Sequence, residues 1–463
     1  MRRHPPGELA LVLHTHMPYV TGFGTWPFGE EWLWEAIATS YLPLLDVLGR
    51  APITLSLTPV LCDQLEEPGA TERCLRFLRE VRPESHERDV QGFRETGQDV
   101  FVSELKRSAG EYVAAAERLE SLRGGLLAAL GKHASWTSAA THAVLPLLAT
   151  DNGIELQLQT GVDSHRRRFG GWEGGFWLPE CAHAWWLHPL LEQVGVRSTC
   201  IELTKRWGIG DPRHLRPLRT VEGPVLWPID RQIIALVWSA TGYPASAAYR
   251  NYHGLTFHHH RVWRNDGQPY DPEQAALQAA AHARDFVGRA RARVADGGVC
   301  VCALDTELLG HWWYEGVTWL DAVIEECARQ ELALTCLGED ALERHEAALA
   351  PPDLDVSSWG EGGDLRTWSS PPVADLAWQA RNAELALASA RKRPSERALR
   401  EVLALQSSDW AFLVYRGLAA DYPRQRASGH FGSLMQALDG QDGGPDLDPE
   451  LRNLAPELNG WEG

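Results

Sequence analysis

The sequence predicts an α/β protein, an incomplete parallel (β/α)7 barrel with a helical insertion and a C-terminal all-helical domain. Two observations carry that expectation. Seven short apolar runs, at 9–13, 53–60, 134–140, 175–178, 198–203, 233–238 and 298–304, end in polar or aromatic residues and are separated by stretches of helical periodicity. Strand followed by helix, repeated along a chain, is the pattern of a buried parallel sheet, and seven strands is one short of the usual eight.

The elements follow in order. Residues 63–132 contain EEPGATERCLRFLREVRPESHERD and EYVAAAERLESLRG, whose apolar residues recur at helical spacing, so a helical insertion beside the barrel is expected there. The barrel with this insertion is expected over 1–372. From 373 to 440 the chain turns to ALAWQARNAELALASARKR and ERALREVLALQSSDWAFLVYRGLAADY, rich in alanine and leucine and poor in β-branched residues, which predicts the helical domain. Residues 441–463 are acidic and rich in proline and glycine, and a flexible acidic tail is expected.

Charge narrows the function. Against 44 basic residues stand 62 acidic ones, a formal net charge of -18. A phosphate backbone or an anionic membrane would be repelled, so neither nucleic acid nor membrane is an expected partner. Twenty tryptophans are present, and indole faces suit the weakly apolar faces of sugar rings, although many of them must simply fill the core. The eight cysteines lack the paired spacing of a zinc site, which points to a reduced, cytoplasmic protein. The first apolar run is interrupted by His14, His16 and Pro18, so it reads as a strand rather than a signal segment, and no run is long enough to span a membrane.

Chemistry in a parallel barrel lies where strands end. The first run leads into His14-Thr15-His16, the third into Thr141-His142, the fourth into Pro179-Glu180-Cys181 and the last into Asp305-Thr306-Glu307. A carboxylate at two separate strand ends among aromatics is what glycoside cleavage requires, so Glu180 and Asp305 are the candidate pair. Either could instead be half of a structural ion pair. The pair His14 and His16 can be read as buried core histidines, as substrate ligands, or with a distant His and Asp as zinc ligands in a deacetylase-like barrel. His258-His259-His260 reads as a solvated surface stretch.

The stretches LHTHMPYV, WPFGEEWLWEAIATSYLPLL, TSAATHAVLPLL, GFWLPECAHA, LVWSATGYPASAAYRNYH, ALDTELLGHWWYEG, SSWGEGGDLRTW and LALQSSDWAFLVYRG, in this order from residue 11 to about 430, resemble glycoside hydrolase family 57, in the branch of the 1,4-α-glucan branching enzymes and related α-amylases. The resemblance implies a (β/α)7 barrel, no metal or organic cofactor, Glu180 as nucleophile and Asp305 as acid/base. It also implies that His14, His16 and His142 line the donor-side sugar site, that Trp32, Trp238, Trp359 and Trp368 wall the glucan groove, and that Asp409 reaches the cleft from the helical domain.

The implied activity is retaining cleavage of α-1,4-glucan with transfer to a 6-OH, for a glycogen-type glucan, with appreciable hydrolysis. Transfer to a 4-OH or plain amylase action are the nearest alternatives; a metal-dependent polysaccharide deacetylase and a non-catalytic glucan-binding protein are more distant ones. Two departures stand out. Relatives carry an Arg-Asp pair where this chain has Ile229-Asp230-Arg231, and residues 181–228 are short for the long loop that covers the cleft in branching enzymes. The segment 242–252 is a candidate substitute lid, with Tyr243 or Tyr249 near the acceptor.

Overall fold

The computed structural model describes residues 7–440, 451 and 453–458. Seven parallel strands form the frame: β1 (Glu8–Thr15), β2 (Thr54–Leu57), β3 (Ala134–Ser138), β4 (Gly175–Trp177), β5 (Ser198–Ile201), β6 (Val225–Pro228) and β7 (Val299–Asp305). Their order across the sheet is β6-β5-β4-β3-β2-β1-β7. Two-residue strands extend the β6 side, at Leu218–Arg219 and Ala348–Leu349. The sheet curls until its two ends meet at one point, where Ile229 bridges Val301 and the Asp230 N–H donates to the Val301 carbonyl at 2.8 Å. The barrel is therefore pinned rather than laddered shut.

Burial explains why these runs are strands. β1 and β7 read LVL and VCVCAL because both faces are covered, the interior by facing strands and the exterior by helices. The helix Asp151–Phe169, capped by Thr150 accepting from the Gly153 N–H at 3.0 Å, packs closely on β3. A Cβ on Gly161 would lie 2.1 Å from the Ser138 carbonyl oxygen, so only glycine permits that approach.

One expected strand is a helix. Residues 233–238 belong to Arg231–Trp238, whose N-cap Asp230 accepts from the Gln232 and Ile233 N–H groups at 3.0 and 3.2 Å. The true sixth strand is Val225–Pro228, a few residues earlier. An apolar run of six residues has the same composition in a buried strand and a buried helix, and here the Asp cap decides.

The expected insertion is helical, with Pro59–Leu65, Ala70–Arg76, Arg82–Glu95, Val102–Ser121 and Gly125–Gly131. At the other end of the chain, helices Ala374–Ala388, Glu396–Leu405, Ser408–Tyr415 and Tyr422–Leu438 share a core of Leu399, Val402, Leu403, Ala427 and Leu434. No helix among the described residues is long and apolar enough to cross a membrane.

The tail expected to be flexible docks in part. Leu451 and Leu454 are buried with Tyr19, Val60 and Ala404; the Ala455 N–H donates to Asp63 at 2.8 Å and Arg400 donates to the Leu454 carbonyl at 2.7 Å. Acidic composition hid two leucines that have a groove to fill. The rest of that expectation, at 441–450, 452 and 459–463, lies outside the described residues.

Two other expectations are corrected. His258 to His260 are not a uniformly solvated stretch: His259 is exposed, but His260 is buried and stacks on His86 at 3.5 Å, and His258 Nδ1 lies 2.7 Å from Asp89. Tyr243 and Tyr249 are buried too, their hydroxyls lying 2.7 Å from Asp285 and 2.8 Å from His282 Nδ1, both on the helix Pro272–Arg293. A buried tyrosine needs a partner for its hydroxyl, and these have found theirs on the helix Pro272–Arg293.

Candidate active site

Four strand ends converge. Parallel pairing sets His14 on β1 directly beside Asp305 on β7, and Thr15 and Thr306, one residue further, hydrogen-bond through their hydroxyls at 2.7 Å. Next in line, the His16 N–H donates to Glu307 at 3.1 Å, and the Tyr41 hydroxyl donates to the same oxygen at 2.6 Å. Tyr41 sits on a single π-helical turn, Ile37–Tyr41, between the helices Glu30–Ala36 and Leu42–Leu48. Such turns re-aim side chains, and this one delivers Tyr41 to Glu307 and the Ser40 hydroxyl to the Thr306 carbonyl at 3.0 Å.

Glu180 follows β4 in a backbone conformation that non-glycine residues seldom adopt, φ 61° and ψ 20°, and Cys181 and His142 also have positive φ. Left-handed backbone at three strand-end positions is strain held by the surrounding fold. Trp359 supplies much of the hold on Glu180: its indole N–H donates to the carboxylate at 2.9 Å and its backbone N–H to the Glu180 carbonyl at 3.0 Å. Arg231 braces the Trp359 loop by donating to the Trp359 carbonyl while paired with Glu202. Arg231, one residue beyond Asp230, thus acts from behind Glu180.

The two carboxyls differ electrostatically. Burial raises the Glu180 carboxyl, but donors from Trp359 and Ser408 oppose the rise. Asp305 is pushed well above the ordinary carboxylate range, first by burial and then by the charges of Glu307 and Glu180, with His16 as the opposing influence. Glu307 itself is raised to about 7 by burial. Two carboxyls whose proton affinities are set by different surroundings can serve as an acid and a nucleophile.

The histidines are layered. His16 and His142 stack at 4.0 Å, His14 and His142 at 4.9 Å, and Trp177 covers His14 at 4.8 Å. His16 Nε2 lies 3.0 and 3.1 Å from the two oxygens of Asp409, which comes from the helix Ser408–Tyr415. Burial would lower His16, yet the charge and hydrogen bond of Asp409 carry it above its ordinary value. Among the described residues no three His, Cys, Asp or Glu side chains are placed to share a metal ion.

The tryptophans divide. Trp238 is 43% exposed and pairs with Trp312, 41% exposed, at 6.3 Å, and Tyr252 continues the row at 6.1 Å from Trp312. Trp32 is half-buried against Phe28 and Tyr422. Trp368 is only 2% exposed and packs beneath Gly360, where a Cβ would come within 2.7 Å of its ring. It fills the core of the helical domain and walls no groove, a correction that sequence could not supply because a core and a platform indole look alike. Ser408, Glu307 and Tyr41 are not among the site residues expected from sequence, whereas Arg231 is, as a shifted counterpart of the arginine that relatives carry. Ser408 and Glu307 adjoin or share motifs with expected site residues; Tyr41 is legible only in three dimensions.

A parallel barrel whose strand ends gather two buried carboxyls beside open aromatic faces has the arrangement of glycoside-cleaving enzymes. The chain belongs to glycosyl hydrolase family 57, whose model matches residues 10–351, and residues 373–456 match the family described as 1,4-alpha-glucan branching enzyme, C-terminal. It is 30% identical to a 1,4-alpha-glucan branching enzyme of Thermococcus kodakarensis, over 92% of this chain and 72% of that relative. It is 32% identical to a probable 1,4-alpha-glucan branching enzyme of Mycobacterium tuberculosis, over 92% of this chain and 90% of the relative. The crystal structure of a GH57-type branching enzyme from Pyrococcus horikoshii superposes with a TM-score of 0.86 at 30% identity, covering 98% of this chain and 94% of that one.

Proposed function

We propose that this enzyme cleaves α-1,4-glucan and transfers the released chain to the 6-OH of another glucan, with Glu180 as nucleophile and Asp305 as acid/base. The observation that carries branching is the C-terminal match at 373–456, together with the contact by which that part of the chain enters the site, Asp409 on His16. The two named relatives at 30% and 32% identity support the same activity.

In the first step a Glu180 oxygen attacks the anomeric carbon, the C1–O4 bond breaks, and the Asp305 proton passes to O4 of the departing chain. The electron pair of that bond leaves with O4. In the second step the Asp305 carboxylate takes the proton of an incoming 6-OH, whose oxygen attacks C1 and releases Glu180. Water in place of the 6-OH gives hydrolysis. His16, Trp32, Trp238 and Trp359 support this reading as sugar contacts, and all eight cysteines are unpaired thiols, in keeping with a reducing cytoplasm.

Purified protein incubated with amylose should form new α-1,6 linkages in excess of new reducing ends; reducing ends alone would convert the reading to amylase. Appreciable hydrolysis is part of the proposal. Between β5 and β6 the chain makes only the helices Thr204–Trp207 and Pro212–Leu215 and the strand Leu218–Arg219, so little is available to exclude water from the intermediate. A longer loop grafted between Thr204 and Val221 should raise the branching share, and a graft without effect would show that water is excluded elsewhere.

A further inference from the structure

Three aromatic rings stand in a row on the surface beside the site. Trp238 and Trp312 lie 6.3 Å apart with their planes 31° from parallel, and Tyr252 lies 6.1 Å from Trp312 at 21°. Trp238 and Trp312 are 43% and 41% exposed, and Tyr252 is half-buried. A tryptophan that only fills space is covered, as the adjacent Trp313 is at 2%. The polar edges of the row are open as well. Among the described residues neither indole N–H nor the Tyr252 hydroxyl has a hydrogen-bond partner, whereas the hydroxyls of Tyr243 and Tyr249 are engaged by Asp285 and His282. An apolar face with a free donor at its edge suits a sugar ring, whose C–H groups meet the face and whose hydroxyls meet the edge.

Backbone contacts hold each ring in place. Trp238 ends the helix Arg231–Trp238. On the loop after β7 the Trp312 N–H donates to the Glu307 carbonyl at 3.2 Å and the Trp313 N–H to the Leu308 carbonyl at 2.8 Å, with Trp313 in the core and Trp312 at the surface. A Cβ on Gly310 would lie 1.9 Å from the Thr39 carbonyl oxygen, so this loop presses on the π-helical turn Ile37–Tyr41. Tyr252 is fixed from a separate segment. Its carbonyl accepts from Arg261 Nε at 2.9 Å, the Arg261 guanidinium lies 4.3 Å from its ring centroid, and the Asn251 N–H donates to the Trp263 carbonyl at 2.8 Å. Rings already fixed lose little conformational freedom when a ligand settles on them.

We propose that Trp312 and Tyr252 carry the Trp238 platform outward as a glucan subsite beyond the reacting cleft, and that they set a preference for long chains. Continuity with the site names the occupant. Asp305 ends β7, and Trp312 belongs to the loop that follows, so the row opens from the same strand end as the candidate acid/base. A polymer has sugars beyond the bond that reacts, and contacts to those remote sugars supply binding energy that a short oligosaccharide cannot use. Neutral rings on a chain of net charge -18 suit a neutral polysaccharide. The inference deepens the proposed function: it rests on α-glucan as substrate, but not on which carboxyl attacks or which acceptor follows.

The test compares Trp312→Ala, Tyr252→Ala and Trp312→Phe with the wild type for Kd and initial rate on amylose. Each alanine variant should raise Kd and KM about 5- to 100-fold, the range for removing one aromatic stacking platform, while kcat falls by a smaller factor. Trp312→Phe, which keeps an aromatic face, should recover most of the affinity. In the wild type, oxidation of Trp312 by N-bromosuccinimide, located by peptide mass spectrometry, should be slowed by amylose and slowed less by maltotetraose at the same sugar concentration. This measurement holds the test even where a variant fails to fold. Alanine variants with wild-type affinity for amylose overturn the proposal. So does a Trp312 oxidised equally fast with and without amylose, or one that maltotetraose protects as fully, which would place the ring inside the reacting cleft. A wild type that neither binds nor cleaves amylose removes the substrate reading itself.

Discussion

Trp359 grips Glu180 at both ends, its indole N–H on the carboxylate at 2.9 Å and its backbone N–H on the carbonyl at 3.0 Å. Trp359→Phe keeps the ring and the backbone contact and removes only the indole donor. Because that donor favours the ionised form, the Glu180 carboxyl should rise in the variant. The acid limb of kcat/KM should shift upward and kcat should fall about tenfold, the weight of one charge-assisted hydrogen bond. An unchanged pH profile would assign Trp359 to sugar stacking alone.

Replacing the two carboxyls should separate their roles. Glu180→Gln should abolish turnover with every substrate while the melting temperature stays near wild type, since the amide keeps shape but forms no glycosyl ester. Asp305→Asn should lose activity on glucans and still form the covalent adduct from a glycosyl fluoride. Equal loss on both substrates in Asp305→Asn would contradict the acid/base assignment.

Glu307 should set the alkaline side of the profile. In the proposed mechanism Asp305 works in its protonated form, and the negative charge of Glu307 is the second contributor, after burial, to its raised affinity for that proton. Glu307→Gln removes the charge, so Asp305 should ionise at lower pH and the alkaline limb of kcat/KM should move downward. Potentiometric assay across the pH range checks it; an upward movement would mean that the lost contacts to His16 and Tyr41 outweigh the charge.

For the tryptophans, affinity and stability should part company. Trp238→Ala should weaken long-glucan binding by about 1–3 kcal/mol, by analogy with aromatic stacking on nucleobases, and leave the melting temperature nearly unchanged. Trp368→Ala should instead cost about 3–5 kcal/mol of stability, the range for deleting a buried aromatic side chain. Calorimetric titration paired with thermal melts distinguishes the two.

Stability should decline in acid through histidines buried as neutral rings. Burial is the largest cause in each case: His86 and His165 are lowered to about 4, with help from Arg82 and Arg166, and His183 to about 3, with help from His188. A group whose folded affinity for protons is depressed takes them up on unfolding, so its contribution is intact above the ordinary value of 6.5 and drains as pH falls from there toward about 4. Each such ring removes about 1.4 kcal/mol per pH unit inside that window. Denaturant midpoints at pH 7 and 5 should therefore differ markedly, and His86→Gln should flatten the dependence.

Sequence made the frame and the two strand-end carboxyls legible because both depend on local pattern. Six of the seven runs are strands, and Glu180 and Asp305 were visible as carboxyls at strand ends. The exception, 233–238, failed where pattern is ambiguous, since IIALVW suits a buried helix as well as a buried strand until Asp230 is seen to cap it. Trp368 failed for a related reason, because indole chemistry does not say whether a ring faces solvent or Gly360. The positive φ of Glu180, the π-helical turn that aims Tyr41 and the reach of Arg231 to the Trp359 loop are relations between distant segments. No window of sequence contains them.

The contact between His16 and Asp409 spans 393 residues, and this separation has a consequence for the chain as it is made. A ribosome releases all seven barrel strands, Glu180 and Asp305 included, before the codon for Asp409 is read. Until then the cleft lacks its last carboxylate and the hydroxyl beside it. If the contact matters to the proposed reaction, a chain that ends before the helix Ser408–Tyr415 should be inactive on α-glucan.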